Sequence, residues 1–152
     1  MLPRRSTSAN LKNCTFGFAK LIEVRLDKSV KGVSAAWARG IVRKTLRREN
    51  RKKSISVLLT GNRRIRRLNS RYLSHDYATD VIAFDYGGAG DLVVSCQMAR
   101  LTAKRLRIPF KQELARYLVH GTLHLLGYDD KQKEGYRKMH EQQEKILGVC
   151  PC

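Results

Sequence analysis

Residues 118–130 read LVHGTLHLLGYDD, and this run decides how the second half of the chain is organised. Leu114, Leu118 and Leu125 recur at helical spacing, which predicts a helix from Phe110 to about Leu126, with Pro109 suited to its first turn and Gly127 as its stop. On that helix Tyr117, His120 and His124 fall on one side, and two histidines four residues apart share a face and can grip one metal ion. A bare pair at this spacing is as often satisfied or exposed as ligating. The residues beyond His124 change that balance: a glycine turn lets the chain double back and deliver a third ligand. Asp130 is the candidate, leaving a fourth position for water. Asp129 is the competing ligand, or an acceptor that holds a histidine tautomer.

Working upstream, CQMARLTAKRLRI (residues 96–108) is helical up to Pro109, and VIAF (81–84) and DLVVS (91–95) are short strands around a glycine-rich loop, a hairpin. SISVLLT (54–60) is a strand ended by Gly61. NRRIRRLNSRYL (62–73) is a helix with Ile65, Leu68 and Tyr72 inward. Ser34 can cap a helix over residues 35–50, with Trp37, Ile41, Val42 and Leu46 on one face, and residues 16–26 loosely alternate as a strand. Downstream, residues 131–147 form a last amphipathic helix. These elements predict an α+β fold: a single mixed sheet of about four strands packed with about five helices. We read residues 1–15 as a basic, disordered tail and 16–150 as one domain.

Charge points to the partner. The 152 residues carry 31 Lys and Arg against 13 Asp and Glu, a formal net charge of +18, and 42% are hydrophobic, enough for a globular core. Such an imbalance either solvates a basic surface or meets a polyanion, and nucleic acid is the polyanion that basic patches bind through counterion release. Only Glu49 interrupts the positive run from Arg39 to Lys53. Arg43, Arg47 and Arg48 on the first helix, and Arg63, Arg64 and Arg67 on the second, are the candidate contacts to nucleic-acid phosphates. No run approaches the ~18 apolar residues that span a bilayer, and no apolar segment follows Arg4 and Arg5 to make a secretory signal. A cytoplasmic location is expected, with Cys14, Cys96, Cys150 and Cys152 as free thiols.

HGTLHLLGYDD (His120 to Asp130) closely resembles the H-G-x-L-H-L-x-G-Y-D-H signature of the YbeY family, metal-dependent endoribonucleases of ribosomal RNA maturation. LNSRY (Leu68 to Tyr72), TDVIAF (Thr79 to Phe84) and GDLVVS (Gly90 to Ser95) resemble the family's other recurring segments, in the same order, over roughly residues 54–147. The resemblance implies one zinc ion per chain on His120, His124 and Asp130, a metal-activated water as nucleophile, and RNA and the ribosome as partners. Nickel, cobalt or iron suit the same donors. Two positions depart from the family. Asp130 stands where it has a third histidine, and Leu73 where it usually has an arginine near the metal. Arg71, Arg67 and Arg66 are the candidates to replace that arginine, with Arg71 taken first, and His75 is either a proton-transfer or phosphate-contacting group or an ordinary loop histidine. Gly121 occupies the place where H-E-x-x-H proteases carry a general base, which argues against peptide hydrolysis. The alternative to an enzyme is a non-catalytic RNA- or ribosome-binding protein with a structural metal.

Overall fold

The computed structural model describes residues 21–148. The expected tail, the start of the first strand at residues 16–20, and Cys14, Cys150 and Cys152 lie outside them. The described elements are β1 (Ile22–Leu26), α1 (Ala35–Arg48), β2 (Ser54–Thr60), α2 (Asn62–Leu73), β3 (Val81–Asp85), β4 (Ala89–Ser95), α3 (Cys96–Leu106), α4 (Phe110–Leu125) and α5 (Lys133–Leu147). Five helices and one four-stranded mixed sheet give the α+β fold read from the sequence.

The sheet order is β1-β2-β4-β3. β1 and β4 run parallel to β2, with Val24 opposite Val57 and Val57 opposite Leu92, whereas β3 pairs antiparallel to β4 as the expected hairpin, with Ala83 opposite Leu92. Ser34 caps α1 as expected, its hydroxyl accepting from Trp37 N–H at 3.1 Å. Pro109 sits one residue earlier than expected, at the cap of α4. Its missing N–H costs nothing there, since helix starts leave N–H groups unbonded.

Alternation along the strands divides the molecule into two layers on the sheet. Ile55, Val57, Leu59, Leu92 and Val94 pack with Ala38, Val42 and Leu46 of α1 and with Leu114, Tyr117 and Leu118 of α4. Ile82 and Val93 face the other way, against Ile65 of α2. α5 covers α4 through Met139 and Ile146, which meet Val119 and Leu123. α4 is thereby sandwiched between sheet and helix, and ten of its sixteen residues are buried. Gly121 is the point of closest approach: a Cβ there would lie 2.2 Å from Leu92 Cδ1 and 2.8 Å from Val81 Cγ1. Position 121 therefore has no room for a glutamate, in agreement with the absence of a protease-type base.

Candidate metal centre

α4 ends in a turn that returns the chain onto its own last residues. Gly127 adopts φ +100°, a conformation that glycine reaches without strain. Gly127 N–H then donates to His124 O at 3.0 Å and Tyr128 N–H to Leu123 O at 3.1 Å, the paired bonds of a Schellman turn. The reversal brings Asp130 to the two histidines. His120 Nε2 and His124 Nε2 are 3.1 Å apart, and Asp130 Oδ2 lies 3.6 Å from the first and 3.5 Å from the second. Among the described residues this is the one group of three or more metal-type ligands within reach of one another.

The protons decide what this triangle can hold. His120 Nδ1 faces Gln143 Oε1 at 3.0 Å, and Gln143 Nε2 donates to Glu144 Oε1 at 3.2 Å, which fixes the amide's orientation. His124 Nδ1 faces Tyr128 O, also at 3.0 Å. Both Nδ1 atoms therefore carry the ring proton and donate it to an oxygen, so both Nε2 atoms point bare lone pairs into the triangle. Burial of the ring, then the neighbouring His124, hold the His120 pKa below its ordinary value, favouring the neutral imidazole that ligates metals. Two lone pairs and a carboxylate oxygen repel one another unless a cation lies between them. Tetrahedral zinc with bonds near 2.0–2.1 Å sets its ligand atoms about 3.3 Å apart. The three edges fit that size, and the donor set fits zinc.

The surrounding bonds fix the corner from three elements. Tyr128 Oη donates to Glu49 Oε2 at 2.9 Å, and Gln142 Nε2 to Glu49 Oε1 at 2.5 Å, so one carboxylate at the end of α1 holds both the turn and α5. Glu113 is buried and accepts from Arg116 Nη1 at 2.9 Å, while Arg116 Nε reaches Glu144 at 3.3 Å. Gly135 lies so close to the turn that a Cβ would stand 2.1 Å from Asp129 O. Asp129 itself accepts from Lys131 N–H at 3.0 Å and takes no place in the triangle. Tyr117 points into the core, donating to Thr102 at 3.1 Å.

Sequence reasoning missed Gln143, Glu49, the Tyr128 carbonyl and Asp80, whose charge acts on His120. Gln143 had a readable signal: it lies on the buried side of α5 between Met139 and Ile146, and a polar residue on such a face needs a partner.

The other expected residues lie elsewhere. Arg63, Arg67 and Arg71 line a groove of about 750 Å³ on α2, together with Arg66 and Tyr77. Arg64 leaves that set: its guanidinium pairs with Asp27. Arg43, Arg47 and Arg48 are exposed on α1. Arg71 Cζ lies 5.5 Å from the centre of the Tyr72 ring, and His75 stacks on Tyr77. His75 and Arg71 make no bond to the triangle among the described residues. No described helix is long and apolar enough to cross a membrane.

The layered α+β sheet and the triangle of donors at the end of its central helix define a class of α+β proteins with two histidines and a carboxylate placed so that they could hold one metal ion. The model of the endoribonuclease YbeY family matches residues 22–150, and the chain belongs to that family. Endoribonuclease YbeY of Chlorobaculum parvum is 44% identical over 98 residues, covering 62% of this chain and 70% of that protein. The same protein of Chlorobium limicola is 38% identical over 98 residues, with 62% and 68% covered. A Thermotoga maritima protein with a known solution structure matches with a TM-score of 0.59 and 25% identity, over 84% of this chain and 90% of its own.

Proposed function

We propose that this protein is a metal-dependent endoribonuclease that cleaves single-stranded RNA in ribosomal RNA processing and ribosome maturation, with one Zn2+ on His120, His124 and Asp130. The observation that carries the reading is the pair of bare Nε2 lone pairs facing a carboxylate in a partly exposed corner, in a chain of the endoribonuclease YbeY family. The side chains of both histidines are 28% exposed and that of Asp130 34%, which leaves a side for water and substrate, as catalytic sites require and closed four-ligand sites do not allow.

A bound ion supplies Lewis acidity and activates water for attack on phosphorus. The chain supplies the rest. Gln143 and the Tyr128 carbonyl keep each ring proton on Nδ1 and aim each Nε2 lone pair inward. Asp130 puts a negative charge where relatives have a neutral imidazole; with an ion held there, that charge would make its water less acidic and move activity towards higher pH. Arg71 contributes positive charge for the phosphate, in place of the arginine that Leu73 has replaced. His75, whose Nδ1 faces Tyr77 Oη at 3.2 Å, presents its other ring nitrogen for proton transfer. Arg43, Arg47, Arg48, Arg63, Arg64 and Arg67 contact RNA phosphates, Arg64 at the expense of its pair with Asp27, and the ribosome and the cytoplasm are the expected setting.

Leu73, 43% exposed, favours a second reading, a ribosome-binding protein with a structural metal and no cleavage. Metal content and RNA cleavage measured on the same preparation decide between them. Cleavage that chelation abolishes and zinc restores supports the enzyme. A full complement of metal with intact RNA sinks it.

A further inference from the structure

The segment between α2 and β3 joins the arginine groove to the metal corner: it leaves α2 at Ser74 and reaches Asp80, whose charge acts on His120. Its backbone is tied down from below. Asn69 is 2% exposed; its Nδ2 donates to Tyr77 O at 3.0 Å and its own carbonyl accepts from His75 N–H at 3.2 Å. Asp76 takes two bonds from Arg66, Nε to Oδ1 at 3.0 Å and Nη2 to Oδ2 at 3.2 Å. The two rings are left projecting outward. Tyr77 is 55% exposed, and His75 stacks on it with centroids 5.4 Å apart and planes 14° from parallel.

An outward aromatic ring on a backbone held by a buried amide contributes nothing to the core. It does have a use beside a row of guanidinium groups. Single-stranded RNA is bound by cations that follow its phosphates and by flat rings on which its bases stack. Tyr77 lines the same groove as Arg63, Arg67 and Arg71. We propose that Tyr77, backed by His75, is the stacking platform for one unpaired base of an RNA strand whose phosphates lie on Arg63, Arg67 and Arg71. This deepens the RNA-cleaving reading and takes its ligand class from it. Asn69 fixes the backbone that carries the ring and His75 lies against one of its faces, which limits the freedom lost when the base arrives. A duplex keeps its bases stacked on one another and offers this ring no base, so the platform discriminates for unpaired RNA.

The test is binding of a short single-stranded oligoribonucleotide carrying 2-aminopurine to chelator-treated protein, where no cleavage intervenes. Wild type and Tyr77→Phe are expected to quench the 2-aminopurine, and Tyr77→Ala to lose the quenching and bind about tenfold more weakly. Unchanged thermal unfolding of Tyr77→Ala shows that the fold is intact. If Tyr77→Ala quenches and binds like wild type, or wild type binds without quenching, the platform is wrong. Cleavage of the same strand with zinc restored separates the two ideas: cleavage without quenching leaves the enzyme and removes the platform, and quenching without cleavage does the reverse. A wild type that binds no RNA overturns both.

Discussion

The metal corner and the α2 groove are built by opposite means. At the corner, three candidate ligand atoms lie within 3.6 Å of one another; the two histidine rings are oriented by the Tyr128 carbonyl of the Schellman turn and by Gln143 of α5, and Glu49 holds that turn. In the groove, guanidinium groups on long side chains lie along one helix, and their charge is the shared property. A site of the first kind fails when one atom moves. A site of the second kind loses affinity by degrees, one counterion at a time.

The largest effect is expected from His120→Ala or Asp130→Ala, which should reduce bound zinc from about one ion per chain to nearly none, as elemental mass spectrometry would read; loss of a first ligand is rarely tolerated. Equal metal in Asp130→Ala and wild type would place the third ligand elsewhere. Gln143→Leu removes the acceptor of the His120 ring proton without touching a ligand, so zinc affinity should fall about ten- to a hundredfold. Competition with a chelating dye measures it, and an unaffected value would mean that the corner does not depend on its outer bonds. Gly135→Ala pushes the Asp129 carbonyl, and with it Asp130, and should weaken zinc binding with smaller loss of helix content by circular dichroism. In the groove, Arg63→Gln combined with Arg67→Gln should leave zinc untouched and lower the slope of log affinity against log salt for single-stranded RNA by roughly 1.4, two contacts at about 0.7 each. Loss of all RNA binding from this pair would show that the groove is as tightly built as the corner. The smallest effect is expected at Cys96. Burial pushes its thiol pKa up to about 11, so at pH 8 the thiolate is scarce, and the native protein should leave Cys96 unlabelled by thiol reagents until it unfolds.

The two regions also differ in how far the sequence reveals them. The candidate ligands at the corner follow largely from spacing, because a helical turn and a glycine stop bring His120, His124 and the Asp129–Asp130 pair together, whereas only the structure sets Asp130 rather than Asp129 beside the histidines. Their supports do not. Gln143 lies 23 residues from His120 in sequence, and Glu49 lies 79 from Tyr128. The acceptor on Tyr128 is a carbonyl, which every residue carries. The strands and helices are legible from periodicity, whereas the order β1-β2-β4-β3 is a long-range pairing that no local pattern states. In the groove, arginine number is legible but its use is not. Arg64 reads like Arg63 and Arg67 until Asp27, 37 residues earlier, is found beside it. His75 reads as a catalytic or loop residue, and its stacking on Tyr77 depends on the course of the loop, which spacing does not state.

The bond from His120 to Gln143 also imposes a chronology. The ribosome makes the three ligands before it makes α5, so a nascent chain that has just released Asp130 owns a full donor set but no acceptor to choose the His120 tautomer. The finished geometry of the donor set therefore waits for the last helix to dock.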